Sequence, residues 1–411
     1  MNNQHNQHLH HMNNRRNFLK QVSLLSVGAF TTNIAAPVFA NANRRQKSAM
    51  EDSLTVPPYL QNLTATSVYV MFITAVKSYS WIEYEGSDGT VQKAHMEDDG
   101  LYDAYVKLNK IYIPDLQPGR AYRYRVCSKP ITLFEPYKLE YGEEVRTAWF
   151  TFNTPAADAK EVSCVVLNDI HDSPEAFGKL LSLVKDRPYK FVALNGDTFN
   201  YQTDEQQIID HLLLPCTNVF ASQKPFLMIR GNHETRGKFR REFKNYFALP
   251  NDKYHFSFEQ GPVFWVVLDT GEDKPDDHPV YAGIVDFDGL RERQAKWLAE
   301  VVETKAYKEA KYRVVLMHIP PYHSGDWHGP MHCQKLFSPI FEANNVDLVV
   351  SGHTHRYGVH PPDTDHSYPI LIGGGSKDGS RTIMHIAANA KQLHVDMIRD
   401  DGEKVGEYTV S

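Results

Sequence analysis

Asp169, His171, Asp197, Asn232, His318, His353 and His355 are two carboxylates, one amide and four imidazoles, the donor types that hold borderline and hard cations. They fall in five short clusters: Asp169-Ile170-His171, Asn195-Gly196-Asp197, Gly231-Asn232-His233-Glu234, His318, and Gly352-His353-Thr354-His355. A carboxylate can bridge two cations, a neutral imidazole gives each one nitrogen, and an amide oxygen fills a remaining position. The set therefore suffices for a dinuclear centre with Asp197 as the bridge. Two cations roughly 3.5 to 4 Å apart acidify a bound water towards pKa ~7 and clamp both oxygens of an in-line displacement. That is the chemistry of phosphate-ester hydrolysis.

Each cluster follows a short apolar, largely β-branched run: Val165 to Leu167, Phe191 to Leu194, Phe226 to Ile229, Val314 to Met317, and Leu348 to Val350. Such runs read as buried parallel strands, and polar residues at the carboxyl ends of parallel strands converge on one crevice. Helical segments at Glu175 to Val184, Phe239 to Phe247 and Leu290 to Thr304 alternate with them, an α/β pattern from Glu161 to the C-terminus. Beyond His355 the runs at Tyr368 to Ile372, Thr382 to Ala387, Leu393 to Ile398 and Val405 to Val410 are expected to close a second sheet. Gly196, Gly231 and Gly352 are expected to turn the backbone sharply beside the cations, and Gly373-Gly374-Gly375 to form a tight turn there.

The first part of the chain reads differently. Asn13-Asn14-Arg15-Arg16-Asn17-Phe18-Leu19-Lys20, an uncharged stretch from Gln21 to Ala36, and Ala40-Asn41-Ala42 form the three parts of an export signal. Residues 1 to 42 resemble a twin-arginine signal beginning near Met12, which implies the twin-arginine machinery as partner, cleavage after Ala42, and a periplasmic or secreted product. Ser23, Ser26, Gly28, Thr31, Thr32 and Asn33 interrupt the apolar stretch, so no permanent membrane anchor is expected. Cleavage takes the formal charge from −6 to −9, which argues against nucleic acid as a partner. Export also permits disulfides among Cys127, Cys164, Cys216 and Cys333, although Cys164 falls in a strand run and reads as a core thiol.

Between Leu54 and Pro155 aromatic-rich strands alternate, as in Val68 to Phe72, Trp81 to Tyr84, Tyr122 to Val126 and Trp149 to Phe152. Short strands without helical periodicity indicate an all-β sandwich over 54–155. Leu116 to Tyr122 resembles the tyrosine corner of fibronectin type III modules, in which the hydroxyl bonds back to upstream backbone.

The five ordered clusters resemble those of the calcineurin-like metallophosphoesterase superfamily, D-x-H, GD, GNH(D/E), a strand-end His and GHxH, across residues 162 to about 400. The resemblance implies a four-layer α/β/β/α sandwich over 161–411. One ion would be held by Asp169, His171, Asp197 and His355, the other by Asp197, Asn232, His318 and His353. The ions would be iron, manganese or zinc.

With a β-sandwich in front, the chain is similar to purple acid phosphatases. That likeness implies hydrolysis of small phosphate monoesters by a metal-bound hydroxide, with His233 protonating the leaving group, aided or replaced by His323 or His328 on the segment after His318. Asn200 stands where those phosphatases have their iron-ligating tyrosine, and Tyr201 is one place further on, so no purple colour is expected. Asp172 and Glu234 are expected to orient ligand imidazoles. Arg236, Lys238, Arg240 and Arg241 are expected on the wet face of a helix, and Asp273, Asp276 and Asp277 in a flexible loop. Two other functions fit the same residues: a phosphodiesterase or nucleotide hydrolase of the superfamily, and a non-catalytic surface-binding protein that works through its sandwich.

Overall fold

Alternation along the strand Val263–Leu268 shows how the core is divided. Phe264, Val266 and Leu268 pack with Leu298, Val301, Phe337 and Phe341 of the helices Phe287–Val301 and His328–Ala343. Trp265 and Val267 join a second core with Val165, Leu167 and Phe191. A strand apolar on both faces must be covered on both, and here one face meets helices and the other meets a second sheet. Phe177, Leu180 and Leu181 of the helix Glu175–Ser182 cover the far side of the sheet that holds Val165 and Phe191, giving the order helices, sheet, sheet, helices.

These features come from a computed structural model that describes residues 53–86 and 89–411. The export-signal reading of residues 1 to 42 lies outside the described residues.

The first sheet runs Phe226–Ile229, Phe191–Asn195, Val162–Leu167, Thr382–Ala388, Leu393–Arg399, Lys404–Val410. Its first three strands are mutually parallel and the rest antiparallel. The second sheet runs Phe256–Gln260, Val263–Leu268, Tyr312–Met317, Leu348–Ser351, Ile370–Ile372, Gly358–His360, with the middle four parallel. The five expected strands are thus divided three and two between facing sheets. The last three strands do not close a second sheet as expected. Thr382–Ala388 pairs antiparallel with Val162–Leu167 and extends the first, because that strand still had an open edge to satisfy. The expected helix at 239–247 is a 3₁₀ turn, Glu242–Tyr246.

The N-terminal strands form two layers joined by one long strand, Val68–Glu85. Its first half pairs with Leu54–Gln61 and Ala104–Ile113, and its second half with Val91–Ala94 and Ala121–Glu135. A register shift between Ile73 and Ser78 falls where it passes between layers. Val70, Phe72, Ile82, Ile111, Tyr124 and Phe152 fill the space between them. The Tyr122 hydroxyl accepts the N–H of Gln117 at 2.8 Å, the bond expected of the corner.

This β region covers the edge of the first sheet. Gln61 Nε2 donates to the Phe226 carbonyl at 3.0 Å and the Tyr59 hydroxyl to the Tyr246 carbonyl at 3.0 Å. Val56, Tyr59, Met71 and Ile73 share the large core with the sheets. The strand ahead of Asn232 is therefore an interior strand of the molecule. All four cysteines are buried and free, so the permitted disulfides are not formed. Among the described residues no helix is long and apolar enough to cross a membrane.

Trp265 is fully buried where the two sheets face each other. Trp265→Ala should cost about 3–5 kcal/mol, read as a lowered urea midpoint at an unchanged slope.

Candidate metal centre

The backbone at three of the five strand ends is held in a conformation L-residues seldom adopt. Asp169, His171, Asp197, His353 and His355 have φ of 52°, 48°, 53°, 72° and 57°. Left-handed non-glycine residues cost of order 1–3 kcal/mol each and persist where surrounding structure over-determines them. Gly196 alone of the three expected turn glycines has positive φ, at 84°. Gly231 and Gly352 serve close approach instead: a Cβ on Gly231 would overlap the Asp197 carboxylate, and one on Gly352 the Asp169 carboxylate. Gly373 and Gly375 lie equally tight against Asn168 and His355.

Two groups of donor atoms share one residue. Asp169, His171, Asp197 and His355 form the first, and Asp197, His318 and His353 the second. In the first, His171 Nε2 lies 2.9 Å from His355 Nε2, and Asp169 Oδ1 lies 3.2 Å from His355 Nε2 and 3.7 Å from His171 Nε2. Asp197 Oδ2 is 3.7 Å from His171 Nε2 and 3.0 Å from His318 Nε2, so one oxygen faces both groups. Asn232 Oδ1 is 3.0 Å from His353 Nδ1 and enters the second group beside it.

In Asp169, Asp197, His318 and His171 the outward-facing atoms are occupied by protein. Asp169 Oδ2 accepts from Asn168 Nδ2 at 2.6 Å and from the His353 N–H at 2.9 Å. Asp197 Oδ1 accepts the His233 N–H at 2.9 Å. His318 Nδ1 donates to the Asn195 carbonyl at 2.8 Å and His171 Nδ1 to Asn200 Oδ1 at 3.2 Å, which leaves both Nε2 atoms as lone pairs aimed inward. Asp169 Oδ1 and His318 Nε2 are buried without a hydrogen-bond partner. Orphaned acceptors converging from two directions fit two cations.

The electrostatics agree. Burial works to raise Asp169, but His171 and His355 outweigh it and hold the carboxyl well below the usual range. Burial likewise opposes the lowering of Asp197 to about 2, which His318 drives. His318, which burial alone would depress, is pushed up to about 10 by Asp197, so without a cation its Nε2 lone pair takes up a proton facing Asp197 Oδ2 at 3.0 Å. His353 falls to about 4 through burial and the nearby His318. Both carboxylates are thus ionised at neutral pH, and a positive charge between them is what the site favours.

The calcineurin-like phosphoesterase family pattern matches residues 163–357, the span that holds all seven cluster residues. Residues 163–357 form a calcineurin-like phosphoesterase domain. The chain is 29% identical over 205 residues to purple acid phosphatase 3 of Arabidopsis thaliana, covering 46% of this chain and 54% of that one. It is 25% identical over 288 residues to purple acid phosphatase 1 of Ipomoea batatas, covering 59% and 56%. The chain thus spans about half the length of these curated relatives. Purple acid phosphatase PPD1 from yellow lupin (Lupinus luteus) seeds has the same fold, with a TM-score of 0.65 at 13% identity over 86% of this chain and 74% of that one.

Around the phosphoesterase domain's centre, several supporting residues act differently from expectation. Glu234 orients no imidazole; it accepts the backbone N–H groups of Asp197, Gly231, Thr198 and Phe199 at 2.9, 2.8, 2.7 and 3.3 Å. Burial, then Asp197, pushes its carboxyl up to about 7. Asp172 meets Asn200 and His211 at 2.8 Å and reaches His171 only through Asn200. Arg236 is not on a wet helix face: it makes two bonds to buried Glu272, at 2.7 and 2.8 Å, and places Nη1 2.9 Å from His233 Nε2. Asp276 accepts the N–H groups of Phe287 and Asp288 at a helix start.

His233 joins the centre's edge, its Nε2 3.8 Å from Asp197 Oδ2. His328 is held by Asp288 at 2.8 Å beside His332, and His323 pairs with His366 at 3.0 Å, both in separate side-chain clusters. Tyr201 is 56% exposed. Asn168, Asn195 and Glu272 carry supporting roles that sequence reading passed over. The first two directly precede expected clusters or belong to one, a usable signal, whereas Glu272 has none.

Asp197→Asn weakens the one oxygen common to both groups. Of the roughly two metals expected at this centre, purified protein should lose more than one per chain by elemental analysis, with its far-ultraviolet circular dichroism unchanged.

Proposed function

We propose that this chain is an exported phosphatase that hydrolyses phosphate monoesters at a dinuclear centre held by Asp169, His171, Asp197, Asn232, His318, His353 and His355. The carrying observation is the single Asp197 oxygen that faces two groups of inward-aimed donors. The purple acid phosphatases among its relatives support the monoester assignment, and the Arg15-Arg16 signal pattern supports export to the periplasm or medium.

When bound, the cations supply Lewis acidity, acidifying water and neutralising charge on the phosphoryl oxygens. The protein's own groups do the rest. His233 Nδ1–H donates to the Asn200 carbonyl at 2.7 Å, which fixes the ring and leaves Nε2 to carry a proton towards the departing oxygen. Arg236 Nη1 lies 2.9 Å from that nitrogen, and a phosphoryl oxygen entering there takes over its hydrogen bond. Glu272 holds the guanidinium in place through Nε and Nη2, which leaves Nη1 for this exchange. Asn200 therefore has two duties, one to His171 and one to His233, in the position where the resembled phosphatases have a tyrosine. The enzyme accordingly lacks the purple tyrosinate colour.

The test is turnover of matched aryl phosphate monoesters and diesters by metal-loaded protein. Monoester hydrolysis should dominate, vanish in Asp197→Asn, and fall about 10²–10⁴-fold in kcat for His233→Ala, the range for loss of a general acid. A diester preference would reassign the substrate class. An inert protein carrying both metals would sink the phosphatase reading.

A further inference from the structure

A second set of histidines lies just beyond the centre. His323 and His366 point Nε2 at Nε2 across 3.0 Å. His366 is 1% exposed, and its Nδ1 donates to the Tyr368 carbonyl at 2.7 Å. A carbonyl only accepts, so neutral His366 has its proton on Nδ1 and its lone pair on Nε2. Asp363 Oδ2 stands 3.6 Å from that lone pair. The other oxygen, Oδ1, is committed to the N–H groups of Asp365 and His366 at 2.8 and 3.2 Å.

Two acceptors therefore face one another with a third nitrogen beside them. A His323 N–H answers one acceptor and leaves the carboxylate to solvent. A cation answers all three.

We propose that His323, His366 and Asp363 form a mononuclear site for a divalent cation of the zinc class, separate from the dinuclear centre. The donor atoms lie within 4.8 Å of one another. Two imidazoles and one carboxylate suit zinc, with an open fourth position for water. The Nδ1–H to carbonyl bond on His366 is the support that metal-bound histidines receive. His360 stacks on the His323 ring at 3.8 Å and 11°, fixing its plane. His323 takes a left-handed φ of 64° to reach this position, a strained conformation that a plain surface loop has no reason to keep.

The groups that face His323 are His366, a cation donor when neutral, and the carboxylates of Asp363 and Asp365, both attractive to a cation. The cluster of Asp288, His328 and His332 differs on this point: Arg291 Nη1 already lies 2.8 Å from Asp288 Oδ1 and takes the cation's place.

Position gives the proposed ion a purpose. His323 follows His318 by five residues and His360 follows His355 by five. An ion on His323 and His366 ties together the segments that leave the two sides of the dinuclear centre.

The full chain, stripped with chelator and reloaded with ¹¹³Cd, should give a nitrogen- and oxygen-ligated resonance that persists in Asp197→Asn. That resonance should disappear in His323→Ala and in Asp363→Asn. Both altered residues are exposed, so neither variant endangers folding. Zinc competition against a chromophoric chelator should show at least a tenfold weakening at this site in each variant. The site is refuted if every resonance is lost with Asp197→Asn, or if one persists there but survives both other substitutions. Because the readout is taken with the dinuclear centre disabled, this resonance appearing in a protein inert towards phosphate esters would support the site and count only against the phosphatase reading.

Discussion

Asp197 Oδ2 is the point on which both sheets converge. It lies 3.0 Å from His318, at the end of a second-sheet strand, and 3.7 Å from His171, just past the end of a first-sheet strand. Such a carboxylate is stable in a buried position only if positive charge or donors answer it from both sides. The rest of the arrangement follows from that requirement. Glu234 holds the backbone of Asp197, Thr198 and Phe199 from below. The His233 N–H occupies Oδ1, Gly231 leaves no side chain against the Asp197 carboxylate, and Gly196 leaves none against the His318 ring.

The same logic explains why so much backbone at the centre is left-handed. A strand end that must present a ligand sideways, within a few ångströms of ligands from four other strand ends, has little room for an ordinary turn. Five non-glycine residues accept that conformation. The cost, of order 1–3 kcal/mol per residue, is offset by the deep burial of apolar side chains in the strands behind them, from Val165 and Leu167 to Leu348 and Val350. Rigidity is the gain: Asp169, His171, Asp197 and His318 each have a fixed partner on the outward side, so these donors converge before any cation arrives.

Two layers of support surround the centre and tie function to the wider fold. Asn168 links Asp169 to the Gly374 carbonyl, joining the first cluster to the glycine turn between the sheets' final strands. Asn195 Nδ2 reaches the carbonyls of Met317 and Val350, so a first-sheet strand end is bonded directly to two strands of the second. The N-terminal β region closes the remaining open edge beside Phe226–Ile229. Displacement of either sheet would move donors from both groups together.

The sequence by itself determined which residues meet, in what order, and on what kind of element. Each of the five clusters sits beyond a β-branched run, and that signal is local: it needs only the neighbouring residues to be read. The division of those strands between two sheets was not legible, because a strand buried on both faces looks the same in either sheet. The final three strands were misassigned for the same reason, since nothing local says which open edge they will fill. Histidine and arginine roles were least legible of all. His233, His323 and His328 share one residue type, and only tertiary contacts separate one at the centre's edge from one facing His366 and one held by Asp288. Arg236 looked solvated in a run of like charges and is instead anchored by Glu272, 36 residues away. Ligand identity is written locally, whereas the partner that aims each side chain comes from distant chain, and only the folded structure brings it near.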